Sequence, residues 1–348
     1  MTTHPIFDGH NDTLLRLQMS NAPSFFTESS AGHIDLPRAQ KSGLGGGFFA
    51  VFTPNENDNA GPEDHLTENG YDVPLPSPIS QERALDFTNA LAARLFKLES
   101  EARGQLKVVR TAEELKHCLQ NDIMAAIFHI EGAEAIDTNF DALHVLYQAG
   151  LRSLGIVWSR PNAYGEGVPF RYPSSPDTGP GLTDDGKALV RECNKLGIMI
   201  DTTHLNEKGF WDVAAITEAP LVATHSNAHT ISPIARNLTD NQLEAIAESN
   251  GVAGINYAVN MLREDGGLET DISLDKIVRH VAYIAEKFGV DHVALGSDFD
   301  GTSVPDSLKD VTGLPNLLER LKAHGFHDDE LQKITHGNWV RVLEETWK

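Results

Sequence analysis

Eight short apolar runs, separated by longer amphipathic stretches, constrain this chain more than any other feature. They span residues 6–10, 47–52, 125–131, 151–158, 198–204, 221–225, 252–257 and 292–298. Most are continuously apolar rather than alternating, as strands covered on both faces are. Between them, residues 80–103 place Ala84, Phe87, Leu91 and Leu95 at helical spacing. Thr111-Ala112-Glu113-Glu114 is a capping box, and Thr183 is an N-cap signal for a further helix. The amphipathic stretches 239–249 and 273–288 end at Asn or Gly, and two or three more helices are expected between residues 314 and 347. Strand and helix in eightfold alternation predict an α/β fold: a (β/α)8 TIM barrel with additional C-terminal helices, one domain over residues 1–348. Two segments, 53–77 and 161–180, are rich in Pro, Gly and polar residues. Both follow an expected strand, which makes them long loops at the mouth of the barrel and candidate lids.

Composition excludes several function classes. The formal charge is −22 and no basic stripe is present, which disfavours nucleic-acid binding. Cys118 and Cys193 fall in expected helices, so neither a disulfide framework nor a thiolate metal site is indicated. Residues 1–5 lack the basic and apolar regions of a signal peptide, and no apolar stretch is long enough to span a bilayer. The expectation is a cytoplasmic protein without membrane contact. Residues 43–47 (Gly-Leu-Gly-Gly-Gly) precede a strand rather than follow one, and do not read as a phosphate loop.

Acids and imidazoles stand where the expected strands end. A parallel barrel brings those ends to one mouth. His10 and Asp12 are two apart on an extended chain and point the same way. Glu131 closes an apolar run, where a carboxylate needs a cation or a barrel arginine as partner. His129 shares its face, deeper in the barrel. His204 and His225 end consecutive runs, and Asp201 is placed to orient an imidazole. Asp298 ends the eighth run, as a general base and acid beside a metal would. Nitrogen and oxygen donors of this kind suit a pair of divalent ions. The Asp298-Phe299-Asp300-Gly301 run lacks the downstream ligands of a calcium loop.

Read together, Asp8-Gly9-His10-Asn11-Asp12, His129-Ile130-Glu131-Gly132, Thr203-His204, His225-Ser226-Asn227-Ala228, Arg236-Asn237-Leu238 and Gly296-Ser297-Asp298-Phe299-Asp300-Gly301 resemble the renal (membrane) dipeptidase family of the amidohydrolase superfamily. The resemblance implies two Zn²⁺ ions, one held by His10, Asp12 and Glu131, the other by Glu131, His204 and His225, with Glu131 bridging. It implies a dipeptide substrate, with L-Xaa-D-Xaa dipeptides included, hydrolysed by a metal-bridging hydroxide. Asp298 matches the family's catalytic acid/base, and Arg236 matches a residue binding the substrate's carboxylate. A homodimer is implied by the resemblance alone. Residues 151–158 contain no Lys, which fits a Glu bridge rather than a carbamylated lysine. One departure stands out. Trp158 takes the place of a family His near the substrate carbonyl, so oxyanion stabilisation falls to the metals, to Trp158 or to Arg160, or else Trp158 is only a wall of the substrate pocket. The loop acids Glu56, Asp58, Glu63, Asp64 and Glu166 suggest a basic N-terminal residue, against the plainer reading of solvated loop charge. Two alternatives remain at this level: an amidohydrolase acting on a cyclic amide, lactam or N-acyl amino acid, and a barrel that binds peptide without turnover.

Overall fold

The computed structural model describes residues 4–19, 21–56 and 61–348. Its centre is a parallel sheet of β1 (Ile6–Asn11), β2 (Leu44–Phe52), β3 (Met124–Glu131), β4 (Leu151–Gly155), β5 (Met199–Asp201), β6 (Val222–Ala223), β7 (Val252–Ile255) and β8 (Val293–Leu295), each hydrogen-bonded to the next. The ring is nearly closed. Just beyond β8, the Asp298 N–H donates to the His10 carbonyl (3.0 Å) and the Asp12 N–H to the Phe299 carbonyl (2.8 Å). Helices surround the sheet, as a (β/α)8 barrel requires.

The continuous apolar runs are explained by this two-sided burial. Phe48, Ile127, Met199, Val222 and Val252 pack in the barrel interior. Their sequence neighbours Phe49, Phe128, Ile200, Ala223 and Ala253 pack outward beneath the helices. Helix starts follow the cap signals at Thr111 and Thr183, and Ser80 and Thr239 cap their helices in the same way: each of the four accepts a backbone N–H in the first turn of the helix it precedes. Helices Thr13–Gln18, Leu36–Ser42, Asp141–Ala149 and Glu207–Ile216 and the strand Leu106–Val108 are additional to the elements expected from the sequence.

The C-terminal helices do more than cover the surface. Trp339, from the helix Asn338–Thr346, enters the barrel interior, stacks edge-on to Phe48 (5.3 Å) and donates its indole N–H to the Leu295 carbonyl (3.1 Å). Room for it comes from glycine: a Cβ on Gly9 would lie 2.6 Å from the Trp339 ring and 2.3 Å from the Thr224 carbonyl. Gly9→Ala is therefore expected to destabilise the fold by about 1–3 kcal/mol, read from the midpoint of urea unfolding at unchanged m-value.

The two Pro/Gly-rich segments form one structure rather than two irregular loops. Leu66–Thr67, Gly70–Asp72 and Arg171–Tyr172 make a small antiparallel sheet with Tyr71 opposite Tyr172. It is tied to the barrel where Asn260 donates to the Tyr71 hydroxyl (3.0 Å) and the Tyr172 hydroxyl donates to the Glu264 carbonyl (2.6 Å). Among the described residues, no helix is long and apolar enough to cross a membrane.

Candidate active site

The strands stop short of the chemistry. Runs expected to reach Trp158, His204, His225 and Asp298 end as strands at Gly155, Asp201, Ala223 and Leu295. His204 (φ +69°) and Asp298 (φ +59°) have turned into the left-handed region, which a sheet cannot use. Release from the ladder aims these side chains inward across the mouth.

There the structure brings together the residues singled out from sequence. Glu131 ends β3, and its two oxygens face different partners. Oε1 lies 3.0 Å from His204 Nε2 and 3.4 Å from His225 Nε2. Oε2 lies 3.8 Å from His10 Nε2, which is 3.5 Å from Asp12 Oδ2. Donor atoms of His10, Asp12 and Glu131 lie within 4.8 Å of one another, as do those of Glu131, His204 and His225, and those of His10, His225 and Asp298.

The cluster is buried and short of positive charge. Neither ring nitrogen of His10 has a hydrogen-bond partner, nor has Asp12 Oδ1. Buried polar atoms are normally paired, so unpartnered atoms on His10 and Asp12, with His10 Nε2 beside the carboxylates of Asp12 and Glu131, mark a place for a cation. Burial draws the His10 imidazole toward neutrality, yet the carboxylates of Glu131, Asp12 and Asp298 overcome it and raise it to about 10. Burial pushes Glu131 up to about 8, and Asp12 and Asp298 add to the push against the pull of His10. Burial also lifts Asp298 to about 6. His204 and His225 are held well below the ordinary histidine range by burial, with Arg236 and His10 adding to it, and so present neutral nitrogens. Neutral imidazoles beside under-compensated carboxylates fit divalent ions of the zinc type.

A second layer orients the imidazoles. The Thr224 hydroxyl donates to Asp201 Oδ2 (2.6 Å) and lies 2.8 Å from His225 Nδ1. Its only proton goes to the carboxylate, so it accepts from Nδ1–H and leaves the Nε2 lone pair toward Glu131. Ser159 Oγ lies 2.9 Å from His204 Nδ1. His129 is used elsewhere: its Nδ1 meets Ser153 Oγ at 2.8 Å inside the barrel.

Above the cluster is a cavity of about 450 Å³, lined in part by Phe52, Trp158, Phe170, Met261, Arg236 and Asp298. Asp298 accepts from Asn256 Nδ2 (2.9 Å). Arg236 is buried; Nη1 donates to Ser226 Oγ (3.3 Å), Nη2 to the His225 carbonyl (3.4 Å), and Nε has no hydrogen-bond partner. Trp158 stands among Phe52 (5.0 Å), Phe170 (5.7 Å) and the His204 ring (5.8 Å). Arg160 is fully buried and donates to Glu134 (2.9 Å), Asn55 (2.6 Å) and the Thr53 carbonyl (3.2 Å), so it braces the loop after β2 and does not line the cavity. Glu56, Glu63, Asp64 and Glu166 do not line it either, and Asp58 lies outside the described residues. The sequence reading missed Ser159, Thr224 and Asn256. The rule that strand ends carry function points to Asn256 as readily as to the acids, because it directly follows β7.

Fold and donor set place the chain among metal-dependent hydrolases. The membrane dipeptidase family model (peptidase family M19) matches residues 1–348, and the chain belongs to that family of metal-dependent dipeptidases. It is similar to a metallopeptidase from Rhodobacter sphaeroides solved with a phosphinate mimic of the dipeptide L-Ala-D-Ala, at 48% identity and TM-score 0.96, covering 99% of this chain and 100% of that one. It is also similar to the solved dipeptidase AC, an M19 metallopeptidase, at 47% identity and TM-score 0.94, covering 99% of each chain. Dipeptidase tcpJ of Claviceps purpurea (strain 20.1) is 26% identical over 350 residues, 97% of this chain and 76% of that protein.

Proposed function

We propose that this chain is a binuclear zinc dipeptidase that cleaves L-Xaa-D-Xaa dipeptides. His10, Asp12 and Glu131 would hold one ion, and Glu131, His204 and His225 the other. The observation that carries this reading is the division of Glu131, with Oε1 toward two imidazoles and Oε2 toward a third. Zinc bound by these residues supplies a nucleophilic water at neutral pH and a Lewis acid for the scissile carbonyl. Asp298, oriented by Asn256, accepts the proton of the attacking water and returns it to the leaving amine. Arg236 pairs with the terminal carboxylate and so selects dipeptides by charge and length. Trp158, with Phe52 and Phe170, walls the substrate cavity. Similarity to the Rhodobacter protein solved with a mimic of L-Ala-D-Ala supports the stereochemistry.

Metal analysis of the purified protein combined with a substrate panel tests this. Two zinc ions per chain are expected, with L-Ala-D-Ala cleaved faster than L-Ala-L-Ala, a tripeptide, N-acetylalanine or a cyclic amide. Full activity with one ion overturns the shared carboxylate, and preference for the N-acyl or cyclic substrate overturns the dipeptide assignment. Thr224→Val removes the group that fixes the His225 tautomer. It is expected to weaken zinc binding by about 10–100-fold, measured by competition with a chromogenic chelator.

A further inference from the structure

The segment that carries Asp298 is held in an unfavourable shape by a residue the mechanism does not use. Asp298 (φ +59°) and Asp300 (φ +68°) both have left-handed backbones. Such conformations persist in residues other than Gly only where surrounding contacts over-determine them. The contacts here converge on Asp300, whose side chain is 1% exposed. Its Oδ2 accepts from Thr13 Oγ1 (3.0 Å) and from Arg16 Nε (3.0 Å). Its Oδ1 accepts from the His33 N–H (2.6 Å), while its own N–H donates to His33 Nδ1 (2.8 Å). Thr13 directly follows Asp12, so this one carboxylate joins the end of β1 to the segment after β8, across the seam where the barrel closes.

The next residue shows how tightly the segment is placed. A Cβ on Gly301 would fall 2.1 Å from Asp12 Oδ2 and 2.5 Å from Asp298 Oδ1. The Gly301 backbone therefore lies against both carboxylates, and a small shift of the segment moves Asp298 relative to Asp12.

We infer that Asp300, with Arg16, Thr13 and His33, is a positioning residue that sets the Asp298 carboxylate against the metal-ligand cluster. The inference rests on the acid/base reading of Asp298 above. Asp300 borders the cavity, but its side chain is buried and both carboxylate oxygens are taken up by Thr13, Arg16 and His33, so it acts on the chemistry through the backbone of residues 298–301. Its loss should therefore slow the proton-transfer step while leaving substrate binding and metal content in place.

The test is a double-mutant cycle in the zinc-loaded full chain, with L-Ala-D-Ala as substrate. Asp300→Asn keeps the shape but turns an amide N–H₂ toward donors. It is expected to lower kcat by about 10–100-fold, with KM within about threefold and zinc content unchanged. Combined with Asp298→Asn it should add nothing, because both changes act on one group. Arg16→Met should lower kcat in the same non-additive way, and Arg16→Lys should recover most of it; this pair decides the matter if Asp300→Asn does not fold. Unchanged kcat, a loss confined to KM or zinc content, or effects that multiply with Asp298→Asn overturn the inference. Full activity in Asp298→Asn alone overturns instead the acid/base reading on which it rests.

Discussion

Glu131→Gln is expected to leave a folded protein that holds less than one zinc ion per chain and cleaves L-Ala-D-Ala with kcat/KM reduced by more than about 10³-fold. The size of the effect follows from the position of the residue. Glu131 belongs to both proposed ligand sets, so weakening it disturbs both at once. Glutamine keeps the volume and one carbonyl oxygen but replaces the other with a donor. That donor would face His10 on one side or His204 and His225 on the other. Burial already pushes Glu131 up to about 8 without a cation, so the neutral amide should be tolerated by the fold. Metal analysis, a thermal scan and steady-state kinetics on one preparation separate these effects. A variant with two zinc ions and ordinary activity would remove Glu131 from the bridging role.

Asp298→Asn gives the second large effect, with a different signature. Asparagine can still accept from Asn256 through its side-chain carbonyl, so geometry is kept while the base is lost. The expected result is a fall in kcat of about 10²–10⁴-fold with both zinc ions retained. The pH dependence supplies a further check. A raised carboxyl is protonated below its pKa and cannot act as a base there. Burial lifts Asp298 to about 6, and bound cations pull it down from that value. Wild-type kcat/KM should therefore rise with pH along an acid limb at or below about pH 6, and the limb assigned to Asp298 should be absent in the variant. Loss of zinc in Asp298→Asn would instead make Asp298 a ligand, an outcome the approach of His10, His225 and Asp298 makes measurable.

How much of this was legible beforehand differs from residue to residue. His10, Asp12, Glu131, His204, His225, Arg236 and Asp298 were all named from their places at the ends of apolar runs or from family motifs, and they do meet at one mouth. The helix starts at Thr111 and Thr183 were marked by cap chemistry, which is local and survives translation into structure. Strand ends were less well marked. Apolar character carries on past Gly155 to Trp158, yet the strand ends at Gly155; the runs toward His204 and Asp298 end as strands at Asp201 and Leu295, and the backbone is left-handed at His204 and Asp298. The two Pro/Gly-rich segments read as separate loops, because pairing between Tyr71 and Tyr172 joins residues far apart in sequence and leaves no periodic trace in either.

Alternation of apolar and amphipathic stretches was enough to specify a (β/α)8 barrel, because strands buried on both faces leave an unbroken apolar signature and closure brings their ends to one side. Tertiary structure alone decided how Glu131 divides between the imidazoles, that Thr224 and Asp201 set the tautomer of His225, that Trp339 fills the barrel beside Gly9, and that Asp300 ties the Asp298 segment across the seam. These are contacts between residues remote in sequence. Their geometry is set by where the backbone leaves the ladder, and no local pattern encodes that.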